Sequence, residues 1–230
     1  MFPLGDSAIM IEFGSEISKS VNEKVLQAAD YFIRNPFRGM VEVVPAYTTL
    51  TIHYNPIEIQ YEKVCHTIKT GLSNLKIIPI KKGKKIRIPV CYEQEFALDI
   101  DLVAEENQLT SNEVISIHTK KIYDVYFLGF APGFPFLGGM DPRIAAPRKQ
   151  SPRLKIPAGS VGIAGGQTGV YPLATPGGWQ IIGRTPVELF SLEKTPPTLL
   201  EPGDKVQFVS ITKQEYNRIE RGEHKWAFEF

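Results

Sequence analysis

The chain has 230 residues, 22% of them charged and 43% hydrophobic, with a formal net charge of +1. This is the mix of a soluble globular protein of one large or two small domains, and the near-neutral charge argues against a dedicated nucleic-acid or membrane-surface binder. No apolar run reaches membrane-span length, and the opening MFPLGDSAIMIEFG lacks the basic start and long apolar core of a signal peptide.

In chain order, residues 6–13 read as a strand and 20–34 as a helix. Ser20 and Glu23 fit a capping box there, and Val21, Val25, Ala28, Ala29, Phe32 and Ile33 recur at helical spacing. VEVVP (41–45) and YTTLTIHY (47–54) read as strands. Tyr61, Val64, Cys65, Ile68, Leu72 and Leu75 mark a second amphipathic helix, which makes Cys65 a small core residue. The order so far is β-α-β-β-α. A strand at Lys85–Val90 either completes a ferredoxin-like unit or opens the next domain. The cationic KKGKK (81–85) is the linker candidate, which divides the chain into 1–84 and 85–230.

Beyond the linker, KIRIPV reads as a strand, followed by helices near 98–107 and 111–120, the second opened by a Thr110/Glu113 capping box. KIYDVYFLGF (121–130) reads as a strand. Twelve of the nineteen glycines then fall between Gly129 and Gly183. Short β-prone runs (SVGIAG, TGVYPL, WQIIG, VELFSL, KVQFVSI) alternate with turns, the pattern of a sandwich or barrel, and a helix over 212–222 closes the chain.

The stretch Gly159–Trp179 holds seven glycines and no charge. It contains no lysine and so no Walker A loop, and it lacks the G-x-G-x-x-G spacing of a dinucleotide fold. Its glycines serve either tight barrel corners or close approach of a ligand. From Pro142 to Val187 the chain has no Asp or Glu but carries Arg143, Arg148, Lys149, Arg153, Lys155 and Arg184. That one-sided charge suits an anionic ligand such as a carboxylate or phosphate, or else a solvated basic face. The window has no carboxylate, histidine or cysteine either, so any general acid or base must come from elsewhere in the chain or from another protein of the same assembly. The two cysteines and four unpaired histidines form no zinc-ligand spacing, and no metal site is expected.

YFLGFAPGFPFLGGM (126–140), PRKQSPRLKIPAGSVGIAGGQTGVYPLATPGGWQIIGRTP (147–186) and LLEPGDKVQF (199–208) resemble the family of KipI and the B subunit of 5-oxoprolinase. The same family is called allophanate hydrolase subunit 1, or carboxyltransferase subdomain C/D, and the likeness covers nearly the whole chain. The resemblance implies an α+β protein, with an N-terminal ferredoxin-like α/β domain followed by a C-terminal cyclophilin-like β-barrel. It implies a cytoplasmic, non-autonomous part of an ATP-dependent 5-oxoprolinase that opens 5-oxoproline to L-glutamate. The expected partners are a KipA-like protein and a LamB/YcsF-like protein, with ATP as a cofactor shared by the complex. The family also contains an inhibitor of a sporulation histidine kinase, for which Phe130, Phe134 and Phe136 offer apolar contacts, unless these rings are ordinary buried packing. On the enzyme reading, Arg148, Arg153 and Arg184 are expected to contact anions, and Gln167, Tyr171 and Trp179 to line the pocket. Tyr171 and Trp179 equally suit a barrel core.

Overall fold

The computed structural model describes residues 1–75 and 83–228; the first two lysines of KKGKK, Lys81 and Lys82, lie outside them. The chain divides into two compact units, Met1–Lys82 and Gly83–Phe230.

In the first unit, strands β1 (Phe2–Pro3), β2 (Ala8–Glu12), β3 (Met40–Pro45) and β4 (Thr49–Tyr54) form an antiparallel sheet in the order β1-β2-β4-β3. Helices α1 (Lys19–Arg34) and α2 (Tyr61–Ser73) cover one face. The period-2 side chains Ile9, Ile11, Leu50 and Ile52 meet the period-3.6 stripe Val25, Ala28, Phe32, Val64 and Ile68, all buried. Each large aliphatic or aromatic side chain among them contributes about 2 kcal/mol through burial. Helix α1 is capped two residues before the expected position. Ser18 is extended and accepts from the Val21 amide at 3.3 Å, so it satisfies the open helix end in place of Ser20. Cys65 packs half-buried against this core.

The strand expected at Lys85–Val90 is β5 (Lys85–Cys91), and it lies in the second unit. It runs parallel to β13 (Lys205–Ile211) along its whole length, so the sheet of the first unit has Phe2–Pro3 at the edge such a strand would have taken. Besides these two, the second unit contains β6 (Tyr123–Leu128), β7 (Pro135–Gly138), β8 (Arg153–Ile156), β9 (Ser160–Ala164), β10 (Gln167–Val170), β11 (Thr175–Gly177) and β12 (Gln180–Arg184). Seven of its strands close a barrel in the order β10-β7-β6-β13-β5-β12-β9, and β8 pairs with β11 as a separate ribbon. Helices α3 (Ile100–Glu106) and α4 (Ser111–Lys120) belong to the barrel's core cluster, and α5 (Lys213–Glu220) follows the last strand. The Thr110/Glu113 capping box is present. VELFSL forms no strand; Phe190 makes only an isolated bridge to Thr198.

The barrel interior carries one buried polar chain. Thr168 Oγ1 donates to the Gly162 carbonyl (3.0 Å), so it must accept from His118 Nε2 (3.1 Å). His118 Nδ1 is then free to accept from the Tyr92 hydroxyl (2.7 Å), and the ring stacks on Phe208 at 4.5 Å. These partners fix the neutral Nε2–H tautomer, and burial pushes the imidazole down from 6.5 to about 3. Below pH 6.5 the unfolded chain binds a proton that the native barrel refuses. His118 therefore contributes stability that is present above pH 6.5 and is lost as pH falls, at about 1.4 kcal/mol per unit. Urea unfolding should show the barrel about 2 kcal/mol less stable at pH 5.0 than at pH 7.5, with His118 ring resonances that do not titrate between them. A flat stability profile, or a His118 that titrates near 6.5, would contradict this.

Candidate functional site

The glycine-rich stretch folds as β9, β10 and β11 with their turns, and its glycines make room for aromatic rings. A Cβ on Gly169 would lie 3.0 Å from the Phe134 ring and 2.7 Å from the Pro135 carbonyl oxygen. One on Gly177 would lie 2.5 Å from the Tyr171 hydroxyl. Phe134 and Tyr171 therefore lie against glycine backbone. Phe134 makes edge-to-face pairs with Tyr171 and Trp179, with centroids 5.1 Å and 5.4 Å apart. Ile156, Ala164 and Ile181 complete this second core. Tyr171 and Trp179 thus stand in the core rather than on an open pocket wall. Burial pushes the Tyr171 phenol up, against a hydrogen bond from the Trp179 backbone and the charges of Arg148 and Arg153.

Beside this core sits an acid that the basic window lacks. Asp99, at the start of α3, is 5% exposed. Its backbone N–H donates to the Ile181 carbonyl (2.8 Å), and its Oδ2 accepts the Ile181 amide (2.7 Å), so α3 is tied to β12 by both ends of one residue. Arg153 adds a two-pronged bond, Nη1 to Oδ2 at 2.8 Å and Nη2 to Oδ1 at 2.7 Å, and Lys149 Nζ reaches Oδ1 at 3.3 Å. Burial alone would raise the Asp99 carboxyl. The Arg153 and Ile181 hydrogen bonds with the Arg153 and Lys149 charges outweigh it and hold the group below the ordinary carboxylate range.

The expected anion contacts consequently part company. Arg153 and Lys149 face the protein's own carboxylate, and Arg143 is paired with Asp141. Arg184 lies at the other end of β12, with its Nε on the Ala158 carbonyl (2.8 Å). Gln167 is half-buried opposite Ala164. Arg148 is exposed and makes no ion pair or hydrogen bond among the described residues. Its segment is nonetheless fixed: Gln180 Nε2 donates to the Pro147 carbonyl (2.9 Å) and the Lys149 amide to the Gly178 carbonyl (2.8 Å), one bond on each side of Arg148. The structure thus brings Arg148 and Arg153 near the buried Tyr171–Trp179 core, at its rim, and leaves Arg184 near Tyr216 instead.

Two residues of this rim, Asp99 and Gln180, were not singled out from sequence. Asp99 reads as an ordinary helix cap in LDID, and its partners lie 50 to 82 positions away. Gln180 had a signal, since it is the one amide in the otherwise apolar strand WQIIG.

Arg153→Ala should cost about 2 kcal/mol in urea unfolding. This is less than for a fully buried pair, because Arg153 is 25% exposed and Lys149 remains. Arg148→Ala should change stability by no more than about 0.5 kcal/mol. The reverse ranking would mean that Asp99 is not the clamp.

A family model described as "Carboxyltransferase domain, subdomain C and D" matches residues 1–200. The chain is 52% identical over 224 residues to the B subunit of 5-oxoprolinase from Bacillus subtilis (strain 168), covering 93% of each. It is 37% identical over 207 residues to that of Escherichia coli O157:H7, covering 90% of this chain and 93% of that protein. The Kluyveromyces lactis urea carboxylase superposes with a TM-score of 0.81 at 22% identity, over 97% of this chain and 23% of that one, a likeness of fold. A match over the first 200 residues, together with near-complete coverage of relatives that are themselves about this length, places the chain in the carboxyltransferase subdomain C and D family, alongside proteins named as the B subunit of 5-oxoprolinase.

Proposed function

We infer that this chain is the B subunit of a multi-protein, ATP-dependent 5-oxoprolinase, which hydrolyses 5-oxoproline to L-glutamate as ATP is hydrolysed. The observation that carries the reading is the 52% identity, over 93% of both chains, to a protein named for that role. The rim supports it physically. The lactam substrate carries a carboxylate, and opening it builds negative charge that a fixed cation stabilises. Arg148 supplies such a cation, and the Asp99 cluster holds its segment in place through Lys149.

The rim also limits what this chain does. The glycines that would have to cradle a triphosphate are filled by Phe134 and Tyr171 at Gly169 and Gly177. The segment therefore does not fit ATP, and we assign no ATP step to it. Asp99 is committed to Arg153 and is a poor general base. The nucleotide and the proton-transfer groups then belong to the other members of the complex, a KipA-like protein and a LamB/YcsF-like protein, and this chain binds and orients. Two free thiols, Cys65 and Cys91, fit a reducing cytoplasm.

A second reading, a binding protein that inhibits a sporulation histidine kinase without catalysis of its own, draws on Phe130. That residue is 67% exposed and holds a left-handed φ of 66°, a conformation costly for a bulky side chain. Phe134, by contrast, is buried at 1%.

Purified with its KipA-like and LamB/YcsF-like partners, the chain should support ATP hydrolysis that depends on 5-oxoproline; alone, it should show none. Full turnover by the isolated chain would overturn the shared-site reading. Unchanged kinase autophosphorylation in its presence would set aside the second.

A further inference from the structure

The outer face of the barrel over β5 and β13 carries a groove that shares no residue with the Asp99 cluster. Ile86, Ile88, Val206 and Phe208 belong to the core. Strand alternation then turns Arg87 and Gln207, which stand opposite one another in the parallel ladder, and Val209 outward. The tail after α5 forms one wall. The Arg87 amide donates to the Phe228 carbonyl (2.6 Å), and Trp226 Nε1 donates to the Arg87 carbonyl (2.9 Å), so both backbone groups of one strand residue hold the tail. The last turn of α4 forms the other side, where Gln207 Nε2 donates to the Thr119 carbonyl (3.3 Å). The space bounded by these elements measures about 620 Å³. Small-molecule sites span about 300–1,000 Å³.

The lining is chemically one-sided. Arg87, His224 and Lys225 contribute to it, and no Asp or Glu does. His224 also borders an adjoining hollow that contains Glu215, so Arg87 and Lys225 are the cations that the groove offers an anion. Trp226 adds a flat apolar surface. It packs against the Cys91–Ile211–Tyr216 cluster, stays half-buried and lines the groove. Its N–H is committed to Arg87, so what it offers a ligand is its ring. The lining has no glycine and no helix N-terminus, the devices that wrap a phosphate in backbone N–H groups. A flat ring beside a guanidinium fork suits a planar carboxylate instead.

We propose that this groove binds an aromatic carboxylate, with its ring on Trp226 and its carboxylate held by Arg87 and Lys225. The site is independent of the enzyme reading. Its residues take no part in the cluster around Asp99, and its ligand need not be a reactant.

The test is NMR of the indole N–H groups in the full chain, labelled at its two tryptophans and titrated with 2-naphthoate. The Trp226 resonance should shift saturably. Trp179, 5% exposed in the aromatic core, should keep its position and so report an intact fold. Two partial probes divide the interaction: 2-naphthalenemethanol keeps the ring without the charge, and acetate keeps the charge without the ring. Each should bind at least about tenfold more weakly than 2-naphthoate. Arg87→Ala leaves the backbone bonds to the tail available and should weaken 2-naphthoate about tenfold, and the exposed Lys225→Ala about threefold. Equal affinity for the acid and the alcohol would overturn the proposal, since the groove would then be an apolar surface only. So would a shift at Trp179 without one at Trp226, an Arg87→Ala chain that binds 2-naphthoate as before, or no saturable shift at all. Tighter binding of 2-naphthyl phosphate than of 2-naphthoate would overturn the choice of a carboxylate.

Discussion

Asp99 is the constraint on which the rim depends. A single carboxylate, nearly sealed from water, joins the start of α3 to β12 through Ile181 and draws in Arg153 from β8 and Lys149 from the preceding loop. Neutralising two cations changes the meaning of the basic window. Part of what reads in the sequence as a broad positive face becomes a structural ion cluster with the exposed Arg148 beside it; Lys155 and Arg184 likewise have no ion pair among the described residues. A buried pair of this kind need not add net stability over an apolar replacement, but it does fix where its partners lie. Here the 147–149 segment is fixed beside 178–180 by the Gln180 Nε2 bond to the Pro147 carbonyl and the Lys149 amide bond to the Gly178 carbonyl.

The glycines act on other strands, β10 and β11. Side chains at Gly169 and Gly177 would collide with Phe134 and Tyr171, so the absence of a Cβ is what lets the second, aromatic core form. The barrel wall is therefore packed against two separate clusters: the His118–Tyr92–Thr168 chain with its apolar neighbours, and the Phe134–Tyr171–Trp179 group. A wall packed in this way is rigid, and a rigid wall suits a protein that positions a substrate for chemistry supplied by others.

Much of this is legible in the sequence, for physical reasons that can be named. The strands KIRIPV and KVQFVSI, the capping box at Thr110 and the helical stripe Val25, Ala28, Ala29 and Phe32 follow from local period and local hydrogen bonding, and all appear; Ile33, expected on the same stripe, is 62% exposed. What local reasoning leaves open is topology. Nothing within Lys85–Val90 says which sheet it joins; its partner β13 lies 120 residues on, and the pairing settles it. VELFSL has β-prone composition without a neighbouring strand to pair along, and it stays irregular. The charge window correctly marks where cations gather. It does not reveal their neutralisation, because Asp99 lies outside the window and meets Arg153 only in three dimensions.

The division of labour between Arg153 and Arg148 is the central claim, and arginine side-chain NMR reads it directly. In a titration of the labelled chain with 5-oxoproline, the Arg148 guanidinium resonance should shift saturably, while Arg153, locked on Asp99, keeps its position and its protection from solvent exchange. A titration that moves Arg153 and leaves Arg148 in place would contradict the account at its base.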